Sequence, residues 1–551
     1  MRHRPAAAVG LLALSASLLA ACGGDDSGSE GGGGAAGGTL VFGASADPVS
    51  LDGAYTSDGE SARVQRQIFE TLVTTAPGGT EIEPLLATEY TPSDDGLAWT
   101  FTLRDGVQFH DGTPMDAAAV CFNFDRWYNF SGVQQSSSVS YYWQTVFSGY
   151  AQNEDPELPQ SLYASCEAPD ATTAVINLTS PSSSFLAGLA LPAFSIASPK
   201  ALEEFGADDV SGTGETPSFD GTFGTTDAVG TGPFRLESNE PGTSVVLVRN
   251  EDYWGEKARL ERLIFQPIAD GPARRQALEA GQIQGYDLVD PADLGALESG
   301  GFQLLERPAF NVGYLAFNTA KPPLDNPKVR QAVAHALNRQ ALVDAQYPPG
   351  SEVAKEFMPP ELFGYAEDVP EYPYDVERAK QLLAESGVAN PTIEFFYPTD
   401  VSRPYMPNPE ANFQAFTSDL EAAGFTVTPR SAPWNPEYLD TVQSGGASMY
   451  LLGWTGDFGD PDNFVGTFFR TQQAAWGPLA PEIYSQLEAA RTEGDLEART
   501  AAYEEANRTI MEFLPGVPYV HTSPSLAFAP NVSGYEPSPV GLEEFASVSL
   551  G

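Results

Sequence analysis

Apolar positions along the chain switch between two periods. Thr39 to Ala44 (TLVFGA) is a short apolar run of strand type that opens the folded body. From Ala62 to Val73, Val64, Ile68, Phe69 and Leu72 follow the helical spacing instead. Thr100 to Leu103 and Val107 to Phe109 flank Arg104-Asp105-Gly106 and predict a strand pair about a Gly turn. A second turn, Asp111-Gly112-Thr113-Pro114, leads into a helix over about Met115 to Trp127. Residues 207–229 are rich in Gly, Ser, Thr and Asp and read as a surface loop; Gly230-Thr231-Gly232-Pro233 then leads into a strand at Phe234 to Leu236.

The second half repeats the alternation. Asn326-Pro327 supplies an N-cap and a first-turn proline for a helix over 327–344, with Val329, Val333, Ala336, Leu337 and Ala341 as its apolar stripe. Asp375 caps another helix, buries Val376, Ala379, Leu382 and Leu383, and stops at Gly387. Phe413 to Gly424 predicts a third, followed by a strand at Phe425 to Val427. Helices alternating with strands argue for α/β architecture. No internal repeat is visible.

The first 38 residues do not belong to this pattern. Arg2 and Arg4 precede an apolar run from Pro5 to Ala21 that ends in Leu19-Ala20-Ala21-Cys22. A basic start and a short apolar run read as a secretory signal. Small residues before a cysteine resemble the lipobox of bacterial lipoproteins, in which cleavage precedes the cysteine and its sulfur and amine are lipidated; Cys22 is the lipidation candidate. The competing reading is an ordinary signal with an incidental cysteine. Diacylglycerol plus an N-acyl chain would hold the protein on the outer face of the membrane. Gly23 to Gly38 contains no residue large enough for a core and reads as a tether spanning on the order of 20 Å.

Charge narrows the possible partners. The 551 residues carry 74 acids and 28 bases, a formal net charge of −46. Loss of the signal would take Arg2 and Arg4, leaving 74 against 26. Such a surface repels phosphate backbones, so nucleic-acid binding is not expected. No apolar stretch of about 20 residues follows the N-terminus, so a spanning helix is not expected in the body. Of three cysteines, Cys121 and Cys166 remain after Cys22; in an exported protein they are expected to pair, two inert buried thiols being the alternative.

The search for catalytic chemistry is nearly empty. His3, His110, His335 and His521 lie far apart, with no metal-ligand spacing and no GxSxG elbow. His110 beside Asp111 reads as a structural turn histidine, and His335 as a packing or solvent-facing residue. No metal or cofactor is expected, and the chain does not read as an enzyme. One segment is distinctive: Gly453-Trp454-Thr455-Gly456-Asp457-Phe458-Gly459-Asp460-Pro461-Asp462-Asn463-Phe464 directly follows an apolar strand, Met449 to Leu452. A Trp wall beside a carboxylate suits a ligand carrying an ammonium group. The plainer reading is an acidic turn with a core Trp. Upstream lies Val401-Ser402-Arg403-Pro404-Tyr405-Met406-Pro407-Asn408-Pro409, where Pro stiffens a loop around a scarce cation. Guanidinium offers a planar fork to a carboxylate, although a surface ion pair is the commoner use.

LRDGVQFHDGTPMDAAAVCFNFDRW (103–127), GTGPFRL (230–236) and NTAKPPLDNPKVRQAVAHALNRQALV (318–343) resemble recurring segments of the family-5 extracellular solute-binding proteins of ABC importers, the peptide and nickel group. GWTGDFGDPDNF and the RPYMPNP loop resemble its dipeptide-binding members. The resemblance implies a bilobal α/β fold of the type II periplasmic-binding-protein kind, with an extra domain inserted in lobe I (cluster C-like). Lobe I would be 39–75, 229–305 and 518–551, the extra domain 76–228, and lobe II 306–517, with crossings near Pro308 to Leu315 and Leu514 to Tyr519. It implies that Asp457 pairs with a peptide's α-ammonium, with Trp454 as a wall and Gly456 beside it. Arg403 would take the α-carboxylate, with Tyr405 nearby. Thr56 to Ser61, including Ser57 and Glu60, would line the site from lobe I, although the residues there depart from the dipeptide pattern. The implied partners are a small peptide and an ABC permease and ATPase complex, served by a monomeric, lipid-anchored receptor. A different cargo of the same fold (longer peptide, nickel chelate, haem or oligosaccharide) and a secreted hydrolase are the alternatives.

Overall fold

Alternating strands and helices build three main sheets in the computed structural model, which describes residues 37–551 except positions 215 and 542. The signal, Cys22 and most of the tether lie outside the described residues.

Strand β1 (Thr39–Ala44) is buried from Phe42 onward. Helix α1 (Gly59–Ile68) starts where Asp58 accepts the Ser61 N–H and stops at Phe69, which is extended (φ −118°, ψ 159°). The helical pattern reaches Val73, but tertiary bonding overrides it. The next residue, Glu70, accepts hydrogen bonds from Thr231, Tyr253 and Trp254, and Val73–Thr75 is already strand.

The region expected to be the extra domain follows as β2 (Ala87–Pro92), β3 (Ala98–Leu103), α2 (Ala117–Tyr128), α3 (Tyr141–Phe147), β4 (Tyr163–Asp170) and β5 (Thr173–Leu178). Its antiparallel sheet has the order β2-β3-β5-β4. The chain turns at Gly106 (φ +77°), but Val107 to Phe109 does not pair with β3. Both edges of β3 are taken by β2 and β5, and only Gln108 forms a bridge, to Pro114. The expected Cys121–Cys166 disulfide is present and ties α2 to β4 with Cα atoms 5.2 Å apart. Within 207–229, Val210–Gly212 and Pro217–Phe219 form a small hairpin rather than an unpaired loop.

Next come β6 (Phe234–Glu240), β7 (Ser244–Arg249), β8 (Arg262–Pro267), β9 (Gly285–Tyr286) and β10 (Gln303–Glu306). Lobe II then runs through β11 (Asn311–Phe317), α4 (Pro327–Ala336), α5 (Arg339–Gln346), α6 (Val376–Ser386), β12 (Thr392–Thr399), α7 (Pro409–Ala422), β13 (Thr426–Pro433), β14 (Met449–Thr455) and β15 (Gly516–Val520), before β16 (Ser525–Phe528) returns to lobe I. The single helix expected over 327–344 is two. Leu337 is extended, and Asn338 starts α5 by accepting the Ala341 N–H while its own N–H bonds Asp419. Helix α6 keeps both expected ends, Asp375 as cap and Gly387 in the left-handed region. Helix α7 starts four residues before Phe413, because Asn408 caps it and Pro409 takes the first position.

Lobe I is a seven-stranded sheet in the order β6-β7-β8-β1-β9-β16-β10, and lobe II a five-stranded sheet in the order β13-β12-β14-β11-β15. Strand β12 runs parallel to β13 and β14, whereas β11 is antiparallel to β14 and to β15. The C-terminal ends of β12, β13, β14 and β15 therefore share one edge with the start of β11. The chain passes between the two sheets over 307–310 and 521–524. The expected crossings fall partly inside β11 and β15, because those strands are ladder partners up to Gly313 and Val520. Large ladders leave the crossings short. Sheets of this kind bind ligands outside the carboxyl ends of their parallel strands, which directs attention to that edge.

Candidate functional site

Two glycines set the path out of β14. A Cβ on Gly453 would overlap the ring of Tyr405 and the Val312 carbonyl. Gly456 donates its N–H to the Phe310 carbonyl at 2.8 Å, and a Cβ there would strike the rings of Phe310 and Phe464. The backbone is thus pressed against the interlobe crossing just before Asp457.

Asp457 is partly buried and pinned from three sides. Its N–H donates to Asn463 Oδ1 at 2.7 Å. Asn463 Nδ2 donates to its Oδ2 at 3.1 Å, and the Tyr142 hydroxyl donates to its Oδ1 at 2.7 Å. Tyr142 belongs to α3, so this bond joins lobe II to the extra domain. Three further contacts reinforce the junction. Phe458 is buried in the extra domain's apolar core, Gly459 lies against Thr80, and the Ser183 hydroxyl donates to the Arg491 carbonyl at 2.6 Å.

The electrostatics follow from that setting. Both side chains that bond the Asp457 carboxylate are neutral. Burial without a cation pushes the Asp457 carboxyl up to about 6, while the Tyr142 and Asn463 bonds pull the other way. Burial and then the Asp457 charge push the Tyr142 hydroxyl well up, and Asp58 of lobe I adds to this. Tyr142 thus feels carboxylates from both lobes. A partly buried carboxylate lacking a counter-charge is suited to receive a cation.

Trp454 is half-buried. Its ring packs edge-on against Phe468, with centroids 6.2 Å apart, and its Nε1 approaches Asn463 Oδ1 at 3.4 Å. Trp454, Asn463 and Asp457 are thereby linked in one chain.

The Arg403 loop leaves β12 and sits over β14 through Tyr405. The Tyr405 carbonyl accepts from Tyr347 at 3.2 Å and Tyr519 at 3.4 Å, and the Pro404 carbonyl accepts from Thr522 at 3.0 Å. Burial pushes the Tyr405 hydroxyl up to about 12. Arg403 itself is exposed, its guanidinium 4.9 Å from the centroid of Trp434, which follows β13. No carboxylate pairs with it among the described residues. Three neighbouring parallel strands thus deliver Arg403, Trp434 and Asp457 to one edge of the lobe II sheet.

The lobe I residues have different settings. Ser57 is exposed just before the α1 cap. Glu60 faces into lobe I, accepting from Ser45 at 2.7 Å and pairing with Arg63 at 2.5 Å. Arg63 continues to Asp287 at 2.6 Å, Asp287 to Arg307 at 3.0 Å, and Arg307 to Glu543. Glu60 is therefore the end of a buried ion network and is not brought to Asp457.

The three histidines among the described residues, His110, His335 and His521, each place a ring nitrogen at 3.0, 2.8 and 2.7 Å from a backbone carbonyl. Burial lowers His110 and His521 to about 4, leaving them neutral. Among the described residues, no three His, Cys, Asp or Glu side chains form a group that could hold a metal. No helix among them is long and apolar enough to cross a membrane.

The middle-region model of the bacterial extracellular solute-binding proteins, family 5, matches residues 81–476, well over half of the chain. The chain belongs to this family. It is 32% identical over 524 residues to heme-binding protein A of Haemophilus influenzae, covering 93% of this chain and 92% of that protein. It is 30% identical over 525 residues to the dipeptide-binding protein of Escherichia coli, covering 93% and 94%. The dipeptide-binding protein of Pseudoalteromonas sp. SM9913, solved with Met-Leu, superposes with a TM-score of 0.76 at 27% identity, covering 93% of this chain and all of that one. The bilobal architecture is that of the family 5 receptors.

Tyr142, Asn463 and Trp434, which touch Asp457 or Arg403 here, were given no role from the sequence. Asn463 lies inside the GWTGDFGDPDNF segment but carries no charge to mark it. Tyr142 had one available signal, the Tyr141-Tyr142-Trp143 aromatic run, and its partner is 315 residues away.

Proposed function

We propose that this family 5 protein is the extracytoplasmic receptor of an ABC importer and captures dipeptides or other short peptides. The observation that carries this reading is the Asp457 carboxylate, held by neutral Tyr142 and Asn463 with its charge uncompensated. In this reading the peptide's α-ammonium supplies the missing cation, with Trp454 and Gly456 forming the adjacent wall. Arg403, backed by Trp434 and anchored through Tyr405, takes the α-carboxylate. Ser57 borders the site from lobe I, and Glu60 acts indirectly, by holding Arg63 and the ion network behind α1. A zwitterion is net neutral, so the acidic surface does not repel it. The distance between the two charges acts as a ruler for peptide length.

Capture would proceed by closure of lobe II onto lobe I and the extra domain, followed by docking of the closed form on a permease driven by its ATPase. No bond is made or broken by this subunit. Lipid on Cys22 and the glycine-rich tether would keep a monomeric receptor at the outer face of the cytoplasmic membrane. The division into lobe I (39–75, 229–305, 518–551), extra domain (76–228) and lobe II (306–517) belongs to the same proposal.

The experiment is mass spectrometry of the ligand that co-purifies with the exported protein, followed by calorimetry of the identified peptide. Recovery of short peptides bound by wild type and lost in Asp457→Ala supports the reading. The likeness to heme-binding protein A favours a second cargo, haem. A co-purified tetrapyrrole with visible absorption, and no peptide, would replace the first reading with that one.

A further inference from the structure

Lobe I contains the mirror image of Asp457, a buried cation without adequate anionic company. Arg66, in the last turn of α1, is only 6% exposed. Its Nη2 donates to the Thr74 hydroxyl and lies 3.5 Å from Glu544, whose side chain is 55% exposed. Its Nε and Nη1 are buried and have no hydrogen-bond partner among the described residues. Leaving guanidinium N–H groups unsatisfied away from water is costly unless something else supplies acceptors.

Arg66 lines a cavity of about 360 Å³, the size of a small-molecule site. Phe69 and Trp254 contribute apolar walls, and Lys257 and Arg259 are its exposed cations. Trp254 is held firmly: its Nε1 donates to Glu70 at 2.8 Å, and the Arg104 guanidinium lies 4.7 Å from its ring centroid. In a chain with 28 basic residues against 74 acidic ones, this lining sets three cations against three acids, and Lys257 pairs with Glu251 at 3.4 Å. The remaining acids of the lining are Glu70, whose oxygens are taken by Thr231, Tyr253 and Trp254, and the exposed Glu256 and Glu544.

We propose that this cavity is a second ligand site, taking a small organic monocarboxylate with a compact apolar body. Its carboxylate displaces Glu544 from Arg66 and accepts from the guanidinium, while its body lies against Phe69 and Trp254. Arg259, which has no ion pair among the described residues, steers the anion in. A single buried guanidinium between apolar walls suits one carboxylate better than a doubly charged oxyanion, which needs more donors. The site uses none of the groups assigned to peptide capture.

Benzoate is the probe, titrated into the full mature chain at low salt by ligand-observed NMR and calorimetry. Saturable one-to-one binding is expected, weakened by about threefold or more in Arg259→Gln and strengthened by about threefold or more in Glu544→Gln. Arg66→Gln is expected to abolish it. Arg66 is buried and that variant could fail to fold, so the two exposed variants decide the matter independently. Binding must also persist in Arg403→Ala, because a carboxylate probe could otherwise report the other free guanidinium. Absence of saturation at millimolar benzoate, insensitivity to both exposed variants, or loss in Arg403→Ala would each overturn the proposal.

Discussion

Acidification should weaken peptide binding through one residue, Asp457. Its carboxyl sits at about 6 because burial disfavours the charged form, so in the absence of a cation the neutral acid is the better-tolerated state. Ionisation as pH rises through 6 costs the folded protein on the order of 3 kcal/mol relative to an ordinary aspartate. That contribution to stability is fully present below the unfolded value near 3.8 and is lost as pH rises through 6. A ligand ammonium reverses the preference, since it needs the carboxylate. At pH 7 about ten in eleven molecules carry the charge and at pH 5 about one in eleven, a loss of about tenfold in affinity or 1.4 kcal/mol. A free dipeptide stays zwitterionic over this window, its termini titrating near 3.5 and 7.8.

Calorimetry of a dipeptide at pH 5, 6 and 7 measures the effect. Asp457→Asn keeps the shape but not the charge, and should lower affinity at pH 7 by about 1–2 kcal/mol while flattening the profile. Tyr142→Phe removes a donor to the carboxylate and should move the midpoint upward. A wild-type profile that is flat between pH 5 and 7, or Asp457→Asn binding with unchanged affinity, refutes the reasoning.

Arg403→Ala should cost a dipeptide at least about tenfold by calorimetry, near 1.4 kcal/mol, with little change in thermal stability because the side chain is exposed. Replacing both Cys121 and Cys166 by Ser opens a loop of 45 residues and should destabilise the extra domain by about 4 kcal/mol in denaturant unfolding, leaving peptide affinity at a permissive temperature unchanged. Arg307→Met leaves Asp287 and Glu543 buried with only Arg63 between them; about 3–5 kcal/mol should be lost by chemical denaturation. Gly456→Ala places a methyl against the rings of Phe310 and Phe464. It should lower both Tm and peptide affinity, whereas Gly459→Ala, against Thr80 at the extra domain, should affect closure more than the stability of lobe II.

Local signals survived folding well where the physics is local. Asp375 and Gly387 bound their helix as expected, because a cap and a left-handed stop act within one turn. The same Asn-Pro device that started α4 also starts α7, at Asn408-Pro409, inside a segment read as a Pro-rich loop. The failures share a cause. Helix α1 ends early because Glu70 is claimed by Thr231, Tyr253 and Trp254, residues more than 150 positions away. The 327–344 stripe breaks at Leu337 because Asp419 takes the Asn338 N–H. Periodicity records which face is apolar and is blind to a distant partner for the backbone.

The candidate site divides along the same line. Asp457, Trp454 and Arg403 could be singled out as candidates because a charge or an indole in a Gly- or Pro-broken loop after an apolar run needs a reason to be there. Glu60 looked equally available and is committed to Arg63. Sequence alone determined the alternation of strands and helices, the helix caps and the loops that carry charge, each a property of a few adjacent residues. Tertiary structure decided which charges remain uncompensated. Whether a carboxylate meets an arginine, as Glu60 does, or a tyrosine, as Asp457 does, depends on chain segments that only the packing of the lobes brings within hydrogen-bond reach.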